Sequence, residues 1–147
     1  MTEPSSARRV VYVIEAAERP GIVHAIAAVF AHRGLSMRAL IADASRSPPR
    51  ILVVFHGTGR QCRMVEAVLG RLHNVHSVRM LDEAAPELQA TALCRLSGTA
   101  VVEDGLAVQP LGDKLLLSGS YAAVERALAR LDAEGLLIEA FRTLVAL

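Results

Sequence analysis

The sequence predicts an α+β protein, made of a ferredoxin-like domain followed by a smaller domain of related plan. Over residues 9–81, β-branched runs and amphipathic stretches alternate in the order β-α-β-β-α-β. Residues 88–147 repeat this order with the first helix reduced. We therefore expect domains at 1–81 and 88–147, joined by the short acidic linker 82–87, "DEAAPE".

The first domain is predicted from runs of β-branched and aromatic residues and from helical spacing. Its four strands are expected at 9–16, 35–44, 51–57 and 75–81. Its helices are expected at 22–33, after a Pro-Gly pair that suits a helix start, and at 60–75. Right-handed crossovers place both helices on one face of an antiparallel sheet. The strand "ILVVFHG" is apolar on both sides, so the helix-free face or a sheet edge is expected to meet a partner.

The second domain is shorter and carries one strong helix, "SYAAVERALARLDAEG", at 120–135. Its strands are expected at 88–96, 105–110, 113–119 and 137–147. The helix that would follow the first of these strands is missing or reduced to "SGTAVVED", residues 97–104. The arrangement predicts an approximate internal repeat.

Composition restricts the classes of function. The chain has 147 residues, 52% of them apolar, which is enough for a packed core. Its net charge of +1 and aromatic content of 3% argue against nucleic-acid binding. No apolar run approaches the ~20 residues of a membrane span, and no secretory leader is evident, so a cytoplasmic protein without membrane contact is expected.

Residues that could carry chemistry do not form a recognisable constellation. The two cysteines, Cys62 and Cys94, stand far apart and indicate neither a zinc site nor a disulfide. His73 and His76 are close in sequence but have no third ligand nearby. No phosphate-binding glycine loop or nucleophile motif occurs. We therefore predict a protein that is not an enzyme and that holds neither a metal nor a cofactor.

The stretch "ERPGIVHAIAAVFAHRGLSMRAL", residues 18–40, resembles the ACT domain, a small-molecule-sensing module. It is most similar to a conserved stretch of the acetolactate synthase small (regulatory) subunit family. The residues that fall in register are Pro20, Gly21, Phe30, Arg33, Gly34 and Leu40. The following stretch, "RILVVFHGTGRQCRMVEAVLGRLHNVHSVRML", resembles the third strand, second helix and fourth strand of that family.

The end of the chain resembles the same family independently. The stretch "EGLLIEAFRTLVAL" is similar to its terminal motif. The matching residues are Gly135, Glu139, Arg142, Thr143, Ala146 and Leu147. Together the two resemblances cover about residues 10–81 and 105–147.

The resemblance implies a non-catalytic regulatory subunit. Such a subunit activates a thiamine-diphosphate-dependent catalytic subunit in branched-chain amino-acid biosynthesis, forms a homodimer through its ACT domains, and senses an effector that is usually valine. The effector-binding positions implied here are Glu18, Pro20, Gly21, Ile22, Ser36 and Arg38. The terminal pair Arg142 and Thr143 is implied as a partner contact.

Departures from the family pattern lie at the ligand-holding positions. Glu18 and Ser36 stand where the family has asparagine, Ala25 replaces an arginine of the first helix, and Leu144 replaces a glycine. Since a carboxylate at residue 18 would repel an effector's carboxylate but attract its ammonium group, we expect effector sensing to be weakened or altered. Alternatively, Pro20-Gly21 only turns the chain and Glu18 offsets the helix dipole.

Two other functions remain open on the residues alone. A stand-alone ACT-type sensor, or a degenerate scaffold for a different enzyme, would suit the shortened second domain. An RNA-binding ferredoxin-like domain would need aromatic side chains on its central strands and a basic face. The strands carry only Tyr12 and Phe55, and the charge is balanced.

Overall fold

The computed structural model describes residues 6–102 and 105–147. The described residues divide into two compact units, with the division after Asp82. The turn residues that follow Asp82 lead into the second unit, whose first strand begins at Leu88. Each unit contains its own four-stranded antiparallel sheet.

The first unit has the predicted order of elements. They are β1 (Arg8–Ala16), α1 (Ile22–Ala31), β2 (Met37–Asp43), β3 (Arg50–Gly57), α2 (Gly59–Gly70) and β4 (Val75–Asp82). The strands lie in the order β2-β3-β1-β4, and every neighbouring pair is antiparallel. This is the ferredoxin-like arrangement, so the predicted fold class is confirmed.

The core of the first unit lies between the sheet and the two helices. Alternate residues of β1 and β3 point to this side, and three aromatic rings meet there. Phe30 of α1 lies 6.3 Å from Tyr12 and 5.5 Å from Phe55 between ring centroids. The intervening side chains on the helix-free face are also buried, at no more than 5% exposure, and they are Val11, Val13, Leu52 and Val54. Both faces of the central strands are therefore apolar and out of solvent.

Both helices of the first unit end earlier than predicted. α1 ends at Ala31, because Gly34 takes a left-handed conformation with φ 65° and the Leu35 N–H returns to the Phe30 carbonyl. α2 was predicted to reach residue 75 but ends at Gly70. Asn74 adopts φ 70° and turns the chain into β4, although the apolar spacing continues past the helix end.

The second unit repeats the plan, and no helix follows its first strand in the part of the chain that the structure describes. Its elements are β5 (Leu88–Leu96), β6 (Ala107–Leu111), β7 (Lys114–Ser120), α3 (Tyr121–Ala133) and β8 (Leu137–Ala146). The strand order β6-β7-β5-β8 matches that of the first unit, position by position. Residues 97–102 contain no helix, and residues 103 and 104 of the expected helical remnant lie outside the described residues.

A loop side chain packs on β7 in the second unit. A Cβ built on Gly119 would lie 2.6 Å from Cδ2 of Leu106, so the absence of a side chain at Gly119 makes room for this leucine. Gly119 pairs with Ala90, which is buried on the α3 side of β5. The residue just before β6, which the sequence places in the predicted strand 105–110, therefore packs on the sheet surface instead of pairing in it.

Candidate functional site

A cavity of about 450 Å³ lies beside the turn between β1 and α1. This volume is within the range of small-molecule sites. Its inner wall includes Ala16 at the end of β1, Ile22 in the first turn of α1, and Ala42 and Ile51 from β2 and β3. The cavity therefore lies where the Pro20-Gly21 turn, predicted to bind an effector, meets the ends of β1, β2 and β3.

Small side chains at the strand ends keep this cavity open. Ala42 lies opposite Ile51 in the β2–β3 pairing, and Ala16 closes the end of the buried face of β1. A larger residue at Ala42 would project into the space under the first turn of α1. Val23, in that first turn, lines the cavity and is 41% exposed. The interior is thus suited to an aliphatic group.

Charged residues surround the cavity in the described structure. Glu18, Arg19 and Asp43 line it and are exposed. The Asp43 carboxylate accepts a hydrogen bond from the Ser45 N–H at 2.9 Å and another from the Ser45 hydroxyl, and the hydroxyl bond is the main cause that lowers the pKa of Asp43. Positively and negatively charged side chains therefore both lie beside the apolar interior, where they can contact the polar groups of a ligand.

The start of α1 exposes backbone donors to this turn. Gly21 is the N-cap residue with φ 87°, which is the left-handed region, and its carbonyl accepts from the Ala25 N–H at 2.9 Å. No described side chain caps the helix, and its first turn carries no acidic residue. The Ile22 N–H donates to the Arg19 carbonyl at 3.3 Å, so the donors that the first turn can offer a ligand are the N–H groups of Val23 and His24, at the positive end of the helix dipole.

The predicted effector residues separate into two groups. Glu18, Pro20 and Ile22 line the cavity, and Gly21 forms the turn beside it. Ser36 and Arg38 lie beyond the other end of α1. Since the ten residues of α1 span about 15 Å, one copy of the chain does not bring these two groups together.

Sequence reasoning missed the residues that form the cavity wall. Ala16, Ala42 and Ile51 come from strand ends that are distant in sequence. Their juxtaposition depends on the register of β2 against β3, which alternation alone does not fix. The only available signal was the run of small residues around Ala42 at the end of the predicted second strand.

The predicted partner contact lies on β8. The Arg142 Nε donates to Oε1 of Glu125 in α3 at 2.6 Å, so its guanidinium is held on the helix side of the sheet. Thr143 is exposed and points to the opposite face. The two predicted contact residues therefore belong to different faces of one strand.

Other reactive groups are placed as parts of the core. Cys62 and Cys94 are buried free thiols. The Tyr12 hydroxyl donates to the Cys62 carbonyl at 2.8 Å, and burial is the main cause that raises the pKa of Tyr12 well above its usual value. Within residues 6–102 and 105–147, no group of three or more His, Cys, Asp or Glu side chains could hold a metal ion.

The whole chain is similar in structure to the small subunit of acetolactate synthase from Thermotoga maritima. The TM-score is 0.65 at 18% sequence identity, and the match covers 95% of this chain and 96% of that chain. A protein of unknown function from Galdieria sulphuraria gives a TM-score of 0.45 at 16% identity, covering 97% of this chain and 99% of its own. A putative glycine cleavage system transcriptional repressor gives 0.43 at 13% identity, with coverages of 96% and 99%.

The similarity to the Thermotoga maritima structure extends over both units, so the two-unit α+β fold is shared with that protein. No protein-family model and no curated protein matches the sequence. Of the helices in the described part of the chain, none has the length and hydropathy needed to cross a membrane.

Proposed function

We propose that this chain is a non-catalytic regulatory subunit, resembling the acetolactate synthase small subunit, that binds a small aliphatic amino acid. The single observation that carries the proposal is the cavity of about 450 Å³ under the uncapped start of α1. It combines an apolar interior for an aliphatic side chain with backbone donors for a carboxylate and with Glu18 for an ammonium group. The fold shared with the Thermotoga maritima small subunit supports this function.

In the proposed mechanism, the chain acts in the cytoplasm as a homodimer through its ACT domains. The partner of the dimer is the catalytic subunit of acetolactate synthase or of a related enzyme. The open edge of β2 and the exposed Val23 of α1 offer a strand and a helix contact. A side-by-side dimer would bring Ser36 and Arg38 of one copy toward the Glu18 turn of the other.

Effector binding would regulate the enzyme only through a difference in affinity between two states of the dimer. Glu18 and Ser36 replace the asparagines of the resembling family, so the expected effector response is weaker than in that family or favours another ligand. A desolvated charge-assisted hydrogen bond contributes about 1.5–3 kcal/mol, which is enough to change ligand choice.

The test combines titration calorimetry with an activity assay. Valine, leucine and isoleucine are titrated into the chain, and the purified chain is added to a thiamine-diphosphate-dependent acetolactate synthase catalytic subunit. Stimulation of activity together with a heat signal supports the full proposal. Stimulation without any heat signal supports a regulatory subunit that has lost effector sensing. No association at micromolar concentrations contradicts the regulatory assignment.

A second candidate is a stand-alone sensor or a scaffold for a different enzyme. The observation that favours it is the absence of a helix between the end of β5 and Val102 in the second unit, where the first unit has α1. Binding of an amino acid without any effect on the catalytic subunit would select this candidate.

A further inference from the structure

A second cavity, of about 280 Å³, lies in the second unit, where the turn after β5 meets the β6–β7 hairpin. Its walls come from Leu96 and residues 98–100, from Pro110 of β6, and from residues 112–115 of the hairpin turn and β7. All of these residues belong to the second unit, and the cavity under α1 is lined by residues of the first. The two cavities are therefore separate.

The strand register places this cavity where the first unit has its own. Ala42 lies opposite Ile51 in the first unit, and Pro110 lies opposite Leu115 in the second. Each pair lines the cavity of its unit. Since β6, β7 and β5 take the sheet positions of β2, β3 and β1, the two cavities occupy equivalent corners of the two sheets.

The second cavity differs from the first in size and in its polar groups. Pro110 stands at the position of Ala42, and its larger side chain takes up part of the space. No helix follows β5 in the described part of the chain, so this cavity has no helix start that could bind a carboxylate. The cationic group that lines it is Lys114, the single lysine of the sequence.

The charge of Lys114 is balanced differently from that of its counterpart in the first unit. Arg50, the first residue of β3, donates to Glu15 of β1 at 2.9 Å. Lys114, the first residue of β7, instead lies opposite a second cation, Arg95 of β5, which forms an ion pair with Glu139 at 3.2 Å. Like charges directly opposite each other in a sheet are destabilising, so an anion bound at Lys114 would be favourable.

Asp113 adds a negative charge beside Lys114 at the same cavity. The Lys114 Nζ lies 3.4 Å from Oδ1 of Asp113, and the side chains are 36% and 69% exposed. An exposed ion pair of this kind contributes little to stability, so a ligand can replace it at small cost. A zwitterion suits the pair, because its carboxylate can contact Lys114 and its ammonium group can contact Asp113.

The loop that forms one wall of the cavity is held at both ends. The Ser97 N–H donates to the Leu136 carbonyl at 2.8 Å. At the other end, the Arg130 guanidinium of α3 donates to the Val101 carbonyl. Residues 98–100 lie between these two bonds, so the wall is ordered before any ligand binds, which lowers the cost of binding.

We propose that this cavity is a second ligand site, which binds a small α-amino acid with a short side chain. Lys114 binds the carboxylate, Asp113 binds the ammonium group, and the short side chain lies toward Leu115. The volume of about 280 Å³, against about 450 Å³ in the first unit, favours a smaller ligand here. The site goes beyond the function proposed above and does not rest on it, since it uses no residue of the first unit and no partner.

The first experiment uses the single lysine as a reporter of this site. Reductive methylation of the full chain with ¹³C-formaldehyde labels Lys114 and the N-terminal amine, and a methylated lysine keeps its positive charge. The variant Lys114→Arg lacks the lysine signal and so assigns the two resonances. L-Alanine and L-serine should each shift the Lys114 resonance to saturation and leave the N-terminal resonance in place. No shift, or equal shifts of both resonances, overturns the proposal.

The second experiment measures affinity by calorimetric titration of L-serine. Lys114→Gln should weaken binding by about tenfold or more, because it removes the cation that binds the carboxylate. Arg126→Gln is the matched control, since it removes an exposed cation from α3 that does not line the cavity. Equal affinities of the two variants overturn the proposal.

A third titration tests the class of ligand. L-Lactate has the size of L-alanine but carries a hydroxyl in place of the ammonium group, so it should bind about tenfold more weakly or worse. Equal affinities for L-lactate and L-alanine overturn the assignment of an amino acid to this cavity.

The variant Ala42→Leu separates this site from the first cavity, because residue 42 lines only the cavity of the first unit. The shift of the labelled Lys114 resonance with L-serine should be unchanged in A42L, and its loss there overturns the proposal. Failure of branched-chain amino acids to bind the first cavity would leave the second site standing, and failure at Lys114 would leave the first proposal standing.

Discussion

Ala42 in β2 lies directly opposite Ile51 in β3, and both line the cavity beneath the start of α1. The small side chain at Ala42 keeps this space open between the sheet edge and the helix. The size of the residue at position 42 therefore determines how much of the cavity is available to a ligand.

Replacing Ala42 by Leu should close the cavity and weaken amino-acid binding by about tenfold or more. The reason is steric, since the added carbon atoms occupy the volume that an aliphatic ligand needs. Ala107→Leu, an exposed position on the edge strand β6 of the second unit that does not line the cavity, is the matched control. Calorimetric titration measures both, and equal affinities would place the ligand elsewhere.

The double variant E18N/S36N should restore or strengthen binding of branched-chain amino acids. Removing the Glu18 carboxylate ends its repulsion of the ligand carboxylate. The amide oxygen introduced at position 18 replaces the carboxylate as acceptor for the ligand ammonium group, and the amide N–H groups can donate to the ligand carboxylate. The expected gain is about 1.5–3 kcal/mol, measured by calorimetry. Glu18 lines the cavity and Ser36 does not, so the single variant E18N should change amino-acid binding within one copy of the chain. Unchanged heats in the double variant would argue against the site assignment.

Gly21→Ala should destabilise the protein by about 1–2 kcal/mol in urea unfolding. The cost is conformational, because Gly21 has φ 87° and a Cβ there would meet nothing within 4 Å. Gly70→Ala is the control of opposite sign, since Gly70 ends α2 with free space around it and no positive φ. It should stabilise by about 0.4–1 kcal/mol. A neutral result for G21A would mean that the turn relaxes.

Glu15 should make stability depend on pH in the acidic range. The hydrogen bond from Arg50, at 2.9 Å, is the main cause that lowers the pKa of Glu15. The stabilisation is present above the unfolded-state pKa of about 4.3 and is lost as the pH falls through the lower folded-state pKa. The urea midpoint of Glu15→Gln should therefore fall less steeply than that of the wild type between neutral and acidic pH. Parallel curves would mean that the ion pair contributes nothing.

Gly119→Ala should destabilise the second unit through contact with Leu106. The Cβ would lie 2.6 Å from Cδ2 of Leu106, which is the end of a flexible, half-buried side chain that can turn aside, so the cost should lie at the low end of the overpacking range, at about 1 kcal/mol. Leu106→Ala removes the obstructing atoms, so the double variant should lose less stability than the sum of the two single variants. Strict additivity in chemical unfolding would show that the two residues do not touch.

The order of elements was predictable because the first unit follows the periods of strands and helices closely. β1 is a continuous run of buried residues from Val10 to Ile14, and such a short run of β-branched and aromatic residues indicates a strand that is buried on both faces. The C-terminal ends of the helices were less predictable. A single residue in the left-handed conformation, such as Asn74, ends a helical segment even where the apolar spacing of the sequence continues.

The candidate site was only partly predictable. The Pro20-Gly21 turn can be identified from local sequence, and the structure places it at a cavity. The alanines of the wall become meaningful only when the strand register is known, because their contribution is the volume that they leave empty. Ser36 was assigned to the same site through resemblance, yet α1 separates it from the turn in each copy.

The separation of Ser36 from the Pro20-Gly21 turn within each copy has a genetic consequence under the proposed side-by-side dimer. Each complete effector site would contain the Pro20-Gly21 turn of one chain and Ser36 of the other chain. Two alleles, one defective at Gly21 and the other at Ser36, would then complement each other. A mixed dimer would contain one site with both defects and one site with neither, so co-expression would recover an effector response that neither allele gives alone.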